Sequence, residues 1–147
     1  MARSVTYSVV PRINPREKND PPKYYAQAQA SGDVNLREMS ERIQATCTVT
    51  KADVFAVLVA MEDVIIDALK AGEIVRLGDL GTFQIGLSGK GTLTEEEYDG
   101  SLIKKARINF RPGTAFASML TSLTYSKVPK RPVAVKEEEE NNEGLEG

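Results

Sequence analysis

The 147-residue chain predicts an α+β fold: two helices, a β-sheet with a shortened hairpin arm, a closing helix, and extra strands ahead of them all. Three observations carry this expectation. Period-two alternation of β-forming residues opens the chain. Two capped stretches of helical periodicity follow, the second stopped by a glycine. The pattern then returns to alternation, is broken by paired glycines, and ends at a Pro-Gly step before a last apolar-periodic run. Apolar side chains recurring every second residue mark a strand, and recurrence at three and four marks a helix.

Ser4-Val5-Thr6-Tyr7-Ser8-Val9-Val10 alternates and reads as a strand ending at Pro11. Asn14 to Pro22, with mixed charges and three prolines, reads as a loop. Tyr24 to Ala30 has period two again and is expected to pair with the first strand. Asn35 is an N-cap with Glu38 three residues on, and Leu36, Met39 and Ile43 then give an amphipathic helix to about Thr46. Thr50 caps a second helix, with Asp53 at its third position, and Gly72 supplies the stop after Ala71. Only a stripe through Asp53, Asp63, Asp67 and Lys70 is polar on this helix. An apolar surface that wide must be covered by other elements, and a small domain has few of them. Association of two copies is the simple solution, so a homodimer with this helix near the interface is expected. The alternative is a helix wrapped by its own chain.

From Glu73 to Leu87 the pattern is β, with Gly78-Asp79-Leu80-Gly81 as a tight bend and Gly86 to Gly91 as a flexible exit. Ser101 to Arg111 gives another strand, Ile108 and Phe110 facing inward and Arg107, Asn109 and Arg111 outward. Pro112-Gly113-Thr114 starts the last helix, whose apolar face is Ala115, Phe116, Met119, Leu120 and Leu123. These readings divide the chain into a β extension over 1–34 packed on the domain, a domain over 35–127, and a basic linker with an acidic tail over 128–147.

Charge and composition bound the function. The 19 basic and 21 acidic side chains leave a net charge of −2, which at first sight argues against a nucleic-acid partner. The distribution says otherwise. Residues 102–136 hold eight basic and no acidic side chains, whereas Glu95, Glu96, Glu97 and Asp99 cluster just before them and six glutamates lie in 137–147. That last stretch reads as a disordered tail, either solubilising or competing with nucleic acid for the basic segment. The absence of histidine and the single Cys47 exclude a histidine-based triad, a zinc site of several Cys and His ligands, and an intrachain disulfide. No apolar h-region or membrane span is visible, so a soluble, cytoplasmic protein is expected. Glu95-Glu96-Glu97 has no apolar pocket to shift a pKa, and Gly86 to Gly91 lacks the Gly-Lys-Ser/Thr ending of a phosphate loop. No enzyme, no cofactor, no metal and no small-molecule substrate are therefore expected.

Ala71-Gly72-Glu73, Gly78-Asp79-Leu80-Gly81-Thr82-Phe83 and Phe110-Arg111-Pro112-Gly113, in that order and spacing, resemble the bacterial histone-like HU and integration host factor family over about residues 35–125. The extra N-terminal strands resemble a divergent HU-related branch found as longer proteins in gut-type bacteria. The resemblance implies an HU-like fold and an intertwined, nucleoid-associated homodimer. Its two arms would hold DNA by the phosphate-neutralising, minor-groove mode established for that family. It places Arg111 at the basic position before Pro-Gly, and Lys104, Lys105 and Arg107 on the strand returning from the arm. Lys90 falls on the outgoing arm. Phe83 and Phe110 match core aromatics. The chain departs from the pattern in four ways: no proline lies between Leu87 and Arg111, the outgoing arm Gly86 to Gly91 lacks the family's run of arginines, Glu95-Glu96-Glu97 sits at the tip, and the last helix lacks N-terminal lysines. Binding is therefore expected to be phosphate-based, salt-sensitive and sequence-independent. The alternative is a structural or protein-interaction module that kept the fold and lost DNA binding.

Overall fold

The computed structural model describes residues 3–131. The acidic tail expected at 137–147, and the linker beyond Arg131, lie outside the described residues. The elements in chain order are β1 (Val5–Arg12), β2 (Lys23–Ala28), α1 (Leu36–Gln44), α2 (Lys51–Lys70), β3 (Val75–Arg76), β4 (Gly81–Gly89), a 3-10 turn (Gly100–Leu102), β5 (Ile103–Pro112), α3 (Thr114–Thr121) and β6 (Tyr125–Lys127). The described residues form two compact units, one of residues 3–31 with 124–131 and one of residues 32–123. The sequence reading set its divisions at 34 and 127; by contacts, residues 124–127 go with the N-terminal strands.

The N-terminal unit is a sheet of order β2-β1-β6. β1 pairs antiparallel with β2, Tyr7 opposite Ala28 through Arg12 opposite Lys23, as the alternation in both segments predicts. β1 runs on through Pro11, where the sequence reading ends it. The Val5 N–H donates to the Thr124 carbonyl and the Tyr7 carbonyl accepts from Val128, so odd-numbered residues of β1 point their backbone groups at β6. β6 reaches only to the level of Tyr7, so Pro11, which has no N–H, falls where that side has no partner. β6 is parallel to β1 and was not anticipated, because three residues are too few to show a period.

In the second unit both helices start where the caps predict. Asn35 Oδ1 accepts from the Glu38 N–H at 2.9 Å, and Thr50 Oγ1 accepts from the Asp53 N–H at 3.3 Å. The reciprocal half of the capping box is not used, because the Glu38 carboxylate pairs with Arg42 one turn on. At the end of α2, Gly72 takes φ +78° and donates to Leu69, while Glu73 donates to Ala68. These two bonds satisfy the last carbonyls of the helix in a Schellman arrangement.

α1 packs on α2, and Lys51 pairs with Glu41 across the corner. The hydrogen bond from Lys51, followed by its charge, holds the Glu41 carboxyl below its ordinary value near 4.5. A lowered folded-state pKa stabilises the fold above the unfolded value, and the gain is lost as pH falls through the folded one. The expected result is that Glu41→Gln lowers the melting temperature slightly at pH 7, with the difference shrinking as pH falls below the ordinary glutamate range and in 1 M salt, read from paired thermal melts.

The second sheet has order β3-β4-β5, both pairs antiparallel. Gly86 to Gly89, expected as a flexible exit, is instead strand, because β5 returns opposite it and supplies hydrogen-bond partners. The start of α3 has no side-chain cap. Its orphan donors go to the β3–β4 turn: Gly113 N–H to Leu80 and Ala115 N–H to Asp79, with Thr114 Oγ1 3.1 Å from Asp79 Oδ1. The Gly-Asp-Leu-Gly bend and the Pro-Gly step, thirty residues apart in the chain, are thus one latch. Gly81 lies inside it at φ +153°, where a Cβ would sit 2.5 Å from the Arg111 carbonyl oxygen and 2.6 Å from the Phe110 ring. Gly81→Ala is expected to cost about 1–3 kcal/mol in urea unfolding. Gly91→Ala, with open space around it, should stay within about 0.5 kcal/mol.

Phe83 and Phe110 face each other across the sheet at 4.9 Å, and Phe116 of α3 meets Phe110 edge-on at 6.2 Å. The expectation that Ile108 and Phe110 both turn into a core holds only in direction. They share a face, but Phe110 is 44% and Ile108 64% exposed. Among the described residues the apolar face of β5 is only partly covered, Phe110 by the rings of Phe83 and Phe116, and Ile108 less. Within residues 32–123 the buried apolar side chains are Val54 and Leu69 alone.

Candidate nucleic-acid interface

Register sorts the second sheet into two faces. Thr82, Gln84, Gly86 and Ser88 of the central strand alternate to one side, and opposite them stand Arg111, Asn109, Arg107 and Lys105. Arg76 of β3 pairs with Thr82 and joins the same face. The other side carries Phe83, Ile85 and Leu87 opposite Phe110, Ile108 and Ala106. The short residues of β4 leave the cationic side chains of the outer strands standing above the sheet. Gly86 goes furthest: the Arg107 and Asn109 side chains lie over it, and Arg107 Nε donates to Asn109 Oδ1 at 3.3 Å. At the latch end, Arg76, Thr82, Gln84, Asn109 and Arg111 line a concavity of about 420 Å³.

Three expected site residues, Lys105, Arg107 and Arg111, therefore share one face, with Asn109 between the two arginines. They cover about 20 Å along β5, the axial length of roughly six nucleotides of a duplex strand. Lys104 is placed differently. It has no partner in β4, because the register shifts between Ser88 and Gly89, and its ammonium donates to the Ser101 carbonyl at 3.5 Å. Lys90 lies just past β4, its N–H bonded to Leu102. Arg76 was missed by the sequence reading. Its signal was present, since Val75 and Leu77 on either side are apolar and alternation puts Arg76 on the opposite face. The paired strands put no carboxylate on the face of Arg76, Lys105, Arg107 and Arg111, and the ion pairs among the described residues, Arg42–Glu38 and Lys51–Glu41, lie on the helices.

The acidic segment is an exposed loop between β4 and the 3-10 turn, with Tyr98 N–H donating to Glu95. Its four carboxylates are not equivalent. Asp99 Oδ1 accepts from Ser101 N–H at 2.5 Å, and this bond, with one from the Ser101 hydroxyl, holds its carboxyl below the ordinary aspartate value. Asp99 thus builds the turn that feeds β5, leaving Glu95, Glu96 and Glu97 as free charge at the arm tip. No helix among the described residues is long and apolar enough to cross a membrane, and no group of three or more His, Cys, Asp or Glu among them could hold a metal ion.

The fold of the chain is similar to that of a Bacteroides vulgatus protein described as a candidate bacterial DNA-binding protein. The TM-score is 0.62 at 15% identity, over 90% of this chain and 51% of that one. The chain thus spans about half the length of that relative. A second likeness, to Anabaena HU in a cocrystal with DNA, has a TM-score of 0.48 at 21% identity over 60% of this chain and 99% of that one. No curated protein matches the sequence. A family model for HU domains fused to wHTH, Ig or glycine-rich motifs matches residues 3–127. With nearly the whole described chain inside that match, the protein belongs to this HU-related family, HU-HIG.

Proposed function

We propose that the protein is a sequence-independent, salt-sensitive DNA-binding protein of the nucleoid that acts as an architectural homodimer. The observation that carries this reading is the cationic face of the β3-β4-β5 sheet, where Arg76, Lys105, Arg107 and Arg111 stand without acidic neighbours. Family membership supports it. Lysines and arginines that neutralise phosphates release condensed counterions, so affinity falls linearly on a log–log plot against salt. Lys90 and Lys104 add charge at the far end of the paired strands, next to the arm loop. Nothing on this face is shaped to read one base sequence, and contacts to phosphates alone carry no sequence information. The dimer would be closed over the groove lined by Val57, Met61, Val64, Ile65, Ile74 and Leu77. The test is a salt series of gel shifts on two unrelated duplexes of equal length. The expected result is tight binding at low salt, a steep negative slope, and equal affinity for the two; negligible binding at 50 mM salt sinks the reading.

The second reading, an HU-like module that keeps the fold for protein contacts, is favoured by one observation: the exposed glutamates at the arm tip. They oppose a polyanion there, so Glu95→Gln, Glu96→Gln and Glu97→Gln together separate the readings. If DNA is the partner, the triple variant should bind duplex more tightly, by about tenfold or more at 50 mM salt. No change would leave the glutamates with another task and favour the second reading.

A further inference from the structure

The net positive charge of the described chain does not reside in the HU-like unit. Residues 32–123 hold ten basic and thirteen acidic side chains. The described part of the N-terminal unit holds eight basic side chains against two acidic ones, Glu17 and Asp20. None of its cations takes part in an ion pair among the described residues. A small sheet with this excess needs a reason, because self-repulsion opposes its folding.

Its two faces differ. Register puts Ser8 and Val10 on one side, 1% and 7% exposed, and Val9, Tyr24 and Tyr125 on the other, 38%, 69% and 65% exposed. Tyr7 and Lys127, adjacent across the β1–β6 pair, share that open side, which carries no acidic residue. An open sheet face with Tyr7, Tyr24 and Tyr125, Lys127 next to Tyr7, in a unit whose described residues carry six more basic than acidic side chains, has the two parts that single-stranded nucleic acid needs. Flat rings accept unpaired bases, and cations follow the backbone. Duplex DNA cannot use the rings, since its bases are stacked on one another.

We infer that the open face of the β2-β1-β6 sheet is a second nucleic-acid contact, taking single-stranded DNA or RNA by stacking bases on Tyr125, beside Lys127, and on Tyr24 at the opposite corner of the sheet. The inference stands apart from the duplex reading, because it uses a different sheet and different residues.

The test uses the full chain, its Tyr24→Ala/Tyr125→Ala variant and an Arg107→Ala/Arg111→Ala variant. Each is titrated by anisotropy with labelled oligo(dT), oligo(rU) and a duplex of about 20 nucleotides. The tyrosine variant should lose about tenfold or more in affinity for one or both single strands, equivalent to about 1.4 kcal/mol, while its duplex affinity is unchanged. The arginine variant should do the reverse. Because the chain has five tyrosines and no tryptophan, quenching of its intrinsic fluorescence by oligo(dT) reports stacking directly. Equal single-strand affinity in the wild type and the tyrosine variant overturns the inference. So does loss of self-association in sedimentation with no change in single-strand binding, which would make the face a protein contact. Circular dichroism melts of both variants exclude unfolding as the cause. Tyrosine-dependent binding to oligo(dT) together with absent duplex binding would retain this inference and remove the DNA architectural reading.

Discussion

Replacing Arg76, Lys105, Arg107 and Arg111 together by alanine is expected to reduce duplex affinity at 50 mM salt by about 100-fold or more. The salt dependence should flatten at the same time. Each cation that neutralises a phosphate contributes about 0.9 to the slope of log affinity against log salt. A dimer lacking two such side chains per single substitution should lose roughly 1.8 units of slope for each position that contacts DNA. The side chains are exposed and make no ion pair among the described residues, so stability should shift by no more than about 0.5 kcal/mol. The informative comparison is among the single variants. Arg76→Ala should resemble Arg111→Ala, because both flank Thr82 at the latch end of the face. Lys104→Ala should cost less than Lys105→Ala, because Lys104 falls at the register shift and turns its ammonium back to Ser101. If Lys104→Ala costs as much as Lys105→Ala, the face as drawn is not the contact.

The second large effect concerns association. On α2, Val57 and Val64 are 65% and 67% exposed, and Met61 between them is 41% exposed. Burying such a side chain fully is worth about 1.5–3 kcal/mol, and leaving several open on one helix is a state that a soluble monomer avoids. A second copy of the same face closes it isologously. Sedimentation of the wild type should give twice the 16.1 kDa chain mass at micromolar concentration. The melting temperature should also rise with protein concentration, because association adds to stability by mass action. Val57→Glu with Val64→Glu should abolish the dimer, since two carboxylates per protomer would enter an apolar contact without partners. A wild type that stays monomeric at micromolar concentration and melts independently of concentration contradicts the dimer outright, whatever the variant does.

The two predictions draw on opposite faces of what the chain leaves uncovered, and the sequence foretold them unequally. The breadth of the apolar surface on α2 is legible by counting, because helical period assigns every residue to an azimuth. The cationic face is harder. Lys105, Arg107 and Arg111 sit at odd positions of one strand, so their common side follows from alternation alone. Arg76, thirty-five residues before Arg111, lies on a two-residue strand that gains its place only by pairing with Thr82. A bulge moves Lys104 out of line, and nothing in Leu102 to Ala106 marks where β4 will slip against β5. Gly86 to Gly89 read as loose chain for a similar cause. Glycine and serine have low strand propensity, and the partner strand that overrides it comes after the arm loop.

What the sequence by itself determined is local. The caps at Asn35 and Thr50, the stop at Gly72, the alternation of β1 and β5, and the segregation of charge along the chain all depend on residues within a turn or two of each other. The tertiary structure alone decided what required distant segments to meet. It tied the β3–β4 turn to the start of α3, brought β6 back beside β1, and set the register that gathers Arg76 with Arg107 and Arg111. The physical reason is that hydrogen bonds within a helix or along one strand are specified by neighbours in sequence. Strand pairing between remote segments is specified only when both are present, and it is pairing that decides which charges share a face.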